Sequence, residues 1–204
     1  VEHPVTELIS GIDLVKEQIS IASGNRLSFK QKDLFINGHA LESRIYAEDA
    51  ENNFLPSTGK LNEYEIPSGP GIRVDSGFSR GSDISIYYDP LIAKLVCWSS
   101  TRKEAISRMI RALKEFRISG VTNNIPFLLE VFVNQNFING NFDINFIEKE
   151  ELVKKFQSEK TDEDNTLEEI ASAFSAILKH QPALHKHAGK KFENSNKWTD
   201  LEYE

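Results

Sequence analysis

Glu42, Arg44 and Tyr46 fall at every second position after the turn pair Asn37-Gly38. In an extended strand alternate side chains share a face. A carboxylate, a guanidinium and a phenol would then stand side by side, with Leu41, Ser43 and Ile45 on the other side. A guanidinium steadied by an acid on a rigid strand can hold an anion or stabilise an oxyanion. The same pair also reads as a solvated surface ion pair of little energetic consequence. Glu2 sits just before a helix-forming stretch, where the helix dipole keeps a carboxylate ionised. That suits a general base, and it equally suits ordinary helix capping. Lys94 lies among apolar neighbours in Leu91 to Trp98. Its default reading is a gatekeeper on an edge strand, and its alternative is a functional cation.

Two other patterns carry less. Gly59-Lys60 resembles the end of a phosphate-binding loop, but Phe54 stands where the first glycine belongs and Leu61 where serine or threonine should follow. His180, His185 and His187 cluster without nearby acids or cysteines, a weak metal signal. Cys97 is the only cysteine, so neither an internal disulfide nor a cysteine-rich metal site can form.

The elements that would position these residues can be read along the chain. Pro4 suits the first turn of a helix through Val5 to Ile9, interrupted at Gly11. A second helix follows, with Ile12, Val15, Ile19 and Ala22 on one face and Gly24 as its stop. Arg26 to Phe35 reads as a connector with a short helical turn. After the Glu42–Arg44 strand come candidate strands at Lys60 to Ile66, Gly71 to Asp75, Ile84 to Tyr88 and Leu91 to Trp98, separated by Gly- and Pro-rich turns. Their close spacing favours antiparallel pairing. Thr101 and Glu104 form a capping box, and Ile106, Met109, Ile110 and Leu113 line one face of the helix behind it. Phe116 to Val121 reads as a short strand. Asn124 can cap a helix over Ile125 to Asn134, and Asn136 to Phe146 alternates loosely. Glu150 to Glu163 is highly charged and reads as a helix end plus flexible linker. Thr166 and Glu169 form a second capping box before Leu167, Ile170, Ala171, Phe174, Ile177 and Leu178, an amphipathic helix that Pro182 ends.

The chain has 204 residues, 39% of them hydrophobic and 27% charged, values of a soluble globular protein. Its net charge of -7 argues against nucleic-acid binding by general electrostatics. No apolar run reaches membrane-spanning length. The first residues, Val1-Glu2-His3-Pro4, lack a methionine and read as the start of a piece cut from a longer polypeptide.

Several segments together resemble one family. They are Val1-Glu2-His3-Pro4-Val5-Thr6-Glu7, Gly11-Ile12-Asp13-Leu14-Val15-Lys16-Glu17-Gln18, Gly38 to Asp49, Phe54-Leu55-Pro56-Ser57-Thr58-Gly59-Lys60, and Tyr87-Tyr88-Asp89-Pro90-Leu91-Ile92-Ala93-Lys94-Leu95. In order and spacing they are similar to the carboxy-terminal part of biotin carboxylase, over Val1 to about Lys149. The resemblance implies an α+β fold, a mainly antiparallel sheet with flanking helices, forming the carboxy-terminal subdomain of an ATP-grasp biotin carboxylase. It implies two regions: 1–149 as that domain, with 1–24 as the helical end of the ATP-grasp region, and 150–204 as a charged linker plus amphipathic helix.

The activity so implied is the first half-reaction of an acyl-CoA or related carboxylase. ATP and bicarbonate carboxylate biotin, which is carried on a separate domain or protein. Glu2 matches the base that deprotonates bicarbonate, and Val1 lies beside it in the bicarbonate pocket. Arg44 matches the arginine that stabilises the biotin enolate and helps hold anionic intermediates. Ile144 matches, more loosely, a hydrophobic contact to adenine, so it is the cofactor-binding candidate. Arg73 lies in a region resembling the homodimer interface, although Pro70 replaces an aromatic residue sometimes found nearby. The Mg2+ ligands, phosphate lid and ATP-holding lysines are expected upstream of Val1, so this piece alone is expected to be inactive. The implied partners are a biotin carrier, a carboxyltransferase subunit and a second copy of the chain, with neither nucleic acid nor membrane, in the cytoplasm. The rival reading is a docking or dimerisation scaffold that kept the fold without the chemistry.

Overall fold

The computed structural model describes residues 3–158 and 170–175. The chain divides into two compact units, Val1–Glu159 and Lys160–Glu204. In the second unit, residues 170–175 are helical and exposed. The rest of the expected amphipathic helix, its Thr166–Glu169 capping box and the three histidines lie outside the described residues.

The first unit runs α1 (His3–Ser10), α2 (Leu14–Ala22), β1 (His39–Tyr46), β2 (Glu48–Asp49), β3 (Leu55–Pro56), β4 (Gly59–Lys60), β5 (Glu63–Glu65), β6 (Ile72–Ser76), β7 (Asp83–Ile84) and β8 (Leu91–Ser99). It continues through α3 (Arg102–Glu115), β9 (Arg117–Ser119), α4 (Ile125–Val133), α5 (Gln135–Asn139), α6 (Phe146–Lys149) and α7 (Leu152–Ser158). All five described strand pairings are antiparallel, and the fold is α+β with helices flanking the sheets. The main sheet has the order β1-β8-β6.

That order decides what each face carries. Cross-strand partners share a face. Leu41 opposes Cys97, Ser43 opposes Leu95 and Ile45 opposes Ala93, while Ile72 and Val74 of β6 oppose Cys97 and Leu95. This face packs on Ile106, Met109, Ala112 and Leu113 of α3 and forms the main core. Thr101 caps α3 as expected, its side chain accepting from the Glu104 N–H. The opposite face carries Glu42, Arg44, Lys94, Arg73 and Asp75, and α1 packs over β1 and β8 on it.

Several parts of the chain differ from the sequence expectation. Asn136 to Phe146 holds α5 and the start of α6 rather than an extended segment. Asn134 accepts from the N–H groups of Asn136 and Phe137 at 2.8 and 3.2 Å, and Gly140 closes the turn at φ +79°. Such caps start and stop helices of any apolar pattern. Residues 152–158, within the stretch read as a helix end plus flexible linker, form the complete helix α7. Leu152 is buried in a second cluster with Phe127 and Phe146, and Phe156 packs against it. The first compact unit therefore continues past Lys149.

Ile86, Tyr87 and Tyr88, expected to extend a strand, are exposed beyond the two-residue β7. No residue of α2 is buried, so the apolar face of Val15 and Ile19 is exposed in this chain. Lys94, finally, is not on an edge: β8 is the central strand. The gatekeeper reading fails for that reason.

Candidate active site

β1 places Glu42 and Arg44 two residues apart on the charged face. The Glu42 side chain is 4% exposed and that of Arg44 51%, and Arg44 Nε stands 3.8 Å from Glu42 Oε1. This is an ion pair and too long for a hydrogen bond. A buried carboxylate thus stands beside the Nε of a half-exposed arginine side chain. Tyr46, the third expected member of the row, is the last residue of β1, and its backbone faces the same outer edge as that of Arg44. The register slips between Ile45 and Tyr46, which pair with Ala93 and Leu91, so the unpaired residue of this bulge is Ile92 of β8.

The outer edge of β1 at this point is held by a residue expected elsewhere. Asn124, 6% exposed, makes no side-chain cap on α4. It clasps the outer edge of β1 instead. Its Nδ2 donates to the Arg44 carbonyl at 3.0 Å, its Oδ1 accepts from the Tyr46 N–H at 2.9 Å, and its own N–H donates to the Tyr46 carbonyl at 3.1 Å. β1 is an edge strand, so its outward backbone groups need partners. Asn124 supplies them at Arg44 and Tyr46. Asn123 takes over locally at the helix start, its Oδ1 accepting from the Ile125 N–H at 3.1 Å. An Asn-Asn pair before a helix hints at such a division of labour, but the partner strand lies far away in sequence.

Across the sheet the rows are Glu42–Val96–Arg73 and Arg44–Lys94–Asp75. Val96 is fully buried beneath α1. Arg73 is engaged from two sides: its Nε and Nη2 donate to the two Asp75 oxygens at 2.9 and 3.0 Å, and its Nη1 donates to Glu7 Oε2 at 3.2 Å. Glu7 Oε1 accepts from the Leu14 N–H at 3.0 Å, so one carboxylate links α1, the start of α2 and β6. The Arg73 guanidinium holds the Asp75 carboxyl below the usual carboxylate range in spite of partial burial, with smaller contributions from the charges of Lys94 and His3. On β2, burial and then the charge of Asp89 push the Glu48 carboxyl upward.

The predicted site residues divide as follows. Arg44 is placed on the charged face beside Glu42. Val1 and Glu2 lie outside the described residues. Ile144 is 100% exposed and lines a shallow cleft with Ile147, Glu148, Val153 and Lys154; no residue of the Arg44 face lines that cleft. Arg73, expected near an interface between copies, is bonded within the chain as described. Among the described residues no group of three or more His, Cys, Asp or Glu is placed to hold a metal ion.

A family model described as "Biotin carboxylase C-terminal domain" matches residues 42–149. One described as "Carbamoyl-phosphate synthase L chain, ATP binding domain" matches residues 1–30. The chain is 47% identical over 183 residues to the mitochondrial propionyl-CoA carboxylase alpha chain of Sus scrofa, covering 89% of this chain and 25% of that protein. It is 49% identical over 148 residues to biotin carboxylase 1 of Bacillus subtilis, covering 72% of this chain and 33% of the relative. Among solved structures, it superposes with a TM-score of 0.72 and 45% identity on the biotin carboxylase domain dimer of Hydrogenobacter thermophilus 2-oxoglutarate carboxylase, in complex with MgADP, ADP and bicarbonate. That match covers 75% of this chain and 34% of the solved one. The chain therefore spans about a third or less of the length of these relatives.

Proposed function

The chain belongs to the biotin carboxylase C-terminal domain family, and from that premise we propose that it forms the carboxy-terminal part of an ATP-dependent biotin carboxylase. The reaction is ATP- and bicarbonate-driven carboxylation of carrier-bound biotin, the half-reaction that precedes transfer of the carboxyl group to an acceptor. The observation that carries this reading is Arg44, held on a clasped strand edge with the buried Glu42 at its base.

Removing a ureido proton from biotin leaves negative charge that is delocalised onto the ureido oxygen. A guanidinium fixed in place lowers the energy of that charge without reorganising as it develops. Bicarbonate requires a base within hydrogen-bond reach as it attacks phosphorus. Glu2 is the residue we assign to that proton, with Val1 lining the pocket beside it. Ile144, exposed in this chain, is assigned to the adenine edge of the nucleotide. A bare aliphatic side chain there has apolar surface to offer a planar base.

The described residues offer no cage for Mg2+, so no step is routed through a metal held by them. The ATP phosphates and magnesium are assigned to the ATP-binding region, whose family model matches only residues 1–30 of this chain. The relatives are named for propionyl-CoA and 2-oxoglutarate, so the proposal ends at carboxybiotin and leaves the acceptor to a carboxyltransferase partner. Assembly as a homodimer is supported by the related domain dimer. No helix of the described residues is long and apolar enough to cross a membrane, and the cytoplasm is the proposed setting.

The test is a chimera in which residues 1–149 replace the aligned segment of the Bacillus subtilis biotin carboxylase 1. It should cleave ATP in a bicarbonate-dependent reaction that free biotin stimulates, while the 204-residue chain alone should not. A folded chimera without activity would favour the scaffold reading.

A further inference from the structure

α6 and α7 meet at Glu151, whose φ of +50° turns the chain sharply between them. A residue other than glycine keeps that conformation only where its surroundings enforce it. Here α7 is fastened from one side. Leu152 and Phe156, four residues apart on one helical face, join the cluster of Ala50, Phe127 and Phe146. The Phe156 ring meets that of Phe127 edge to face at 5.9 Å, and Gln157 Nε2 donates to the Glu51 carbonyl at 2.7 Å. So held, α7 borders the cleft that contains Ile144. The cleft has a volume of about 620 Å3, within the range of small-molecule sites. On the α6 side it is lined by Ile144, Ile147 and Glu148, and on the α7 side by Glu151, Val153 and Lys154. Ile144 is fully exposed, Ile147 nearly half so, and Val153 is half-buried. The α7 side lies beyond residues 42–149, the span of the matched carboxy-terminal domain.

We infer that α7 is the second wall of the nucleotide site at its adenine end, with Val153 as its apolar contact and Leu152 and Phe156 as the positioning residues that hold it there. This rests on the assignment of Ile144 made above. It goes beyond that assignment by bringing a helix outside the matched domain into the site. A purine base has two apolar faces and a polar edge. One exposed isoleucine covers a single face, whereas aliphatic side chains on both sides of a cleft cover two. The gain from such burial is non-directional and grows with the area removed from water. At the rim, Glu148 supplies an acceptor for the base edge and Lys154 supplies donors. One of the three Lys154 N–H groups is used by Glu151 Oε1 at 2.6 Å. None of these contacts involves the reacting phosphates, so they hold the ground state and the transition state alike. Their loss therefore reports through KM for ATP and not through kcat.

The experiment uses the chimera described above, carried through residue 158 so that α7 is present. The variants are Val153→Ser, Phe156→Ala, Phe156→Leu and, as reference, Ile144→Ser. Val153→Ser and Phe156→Ala should each raise KM for ATP by about threefold to tenfold, with kcat and KM for bicarbonate retained. Phe156→Leu, which refills the apolar site and reseats α7, should recover most of that loss. A helix that only stabilises the fold would instead lower the denaturation midpoint and leave KM for ATP unchanged in the folded protein. Should Phe156→Ala fail to fold, Val153→Ser at its half-buried position carries the test. If Ile144→Ser raises KM for ATP while the folded α7 variants stay within about twofold of the parent, α7 is no part of the site and the assignment of Ile144 stands. If Ile144→Ser also leaves KM for ATP unchanged, both are overturned. The biotin carboxylase reading itself survives either result as long as ATP cleavage still responds to bicarbonate and biotin.

Discussion

Asn124 Nδ2 donates to the Arg44 carbonyl at 3.0 Å while its Oδ1 accepts from the Tyr46 N–H at 2.9 Å. A single buried side chain thus holds the outer edge of β1 at Arg44 and at Tyr46. This joins the start of α4 to the residue on which the proposed chemistry turns. The direction of the Arg44 side chain depends on how the edge of β1 is held.

Asn124→Ala leaves the Arg44 carbonyl and the Tyr46 N–H without these partners. Loss of buried hydrogen bonds of this kind costs about 1–3 kcal/mol. We expect chemical denaturation of the chain to show that loss with an unchanged m-value, and the chimera to lose biotin-dependent rate beyond what the stability change explains. Asn124→Asp keeps the acceptor for Tyr46 but sets a buried carboxylate oxygen against the Arg44 carbonyl, so it should be no more stable than Asn124→Ala and should lower the rate as well. Equal rates in the parent and both variants would show that the clasp is structural only.

Asp75 gives a pH dependence whose sign follows from its partners. Its carboxyl is held below the ordinary range, first by hydrogen bonds from Arg73. A depressed folded-state value means that the folded protein favours the ionised form. The stabilisation is fully present above the unfolded value of about 3.9 and is lost as pH falls through the lower folded one. Asp75→Asn should therefore be less stable than the parent at neutral pH, and the gap should narrow on acidification below pH 4 or so. Denaturation midpoints across that range measure it. A constant gap would place the stabilisation in packing and not in the charge.

Cys97 lies in the core on β8, and burial pushes its thiol up to about 12. The thiolate is the reactive form, so the native chain should resist thiol reagents at pH 8 and react once denatured. Rapid native-state labelling would mean that β8 opens far more readily than a central strand should.

Much of the main sheet was legible because its strands announce themselves locally. The alternation around Arg44, the Leu91 to Trp98 run and the Thr101 cap all lie within a few residues of the structure they specify. Two features were not legible, and both are matters of long-range pairing. Lys94 looks the same on an edge or a central strand, and only the order β1-β8-β6 decides between them. Asn124 satisfies the local rule for a helix cap, yet the open edge of β1 is the stronger claimant for its amide. α7 was missed because a charged composition hid Leu152 and Phe156, four residues apart on one helical face.

Glu42, Arg44 and Asn124 converge on one claim: that Arg44 is held where it can answer negative charge on biotin. The most direct measurement is biotin-stimulated ATP cleavage by the chimera carrying Arg44→Met beside its parent. The account predicts that the stimulated rate falls by about a hundredfold or more, with the protein still folded and KM for ATP little changed. Stimulation that survives the substitution would contradict it.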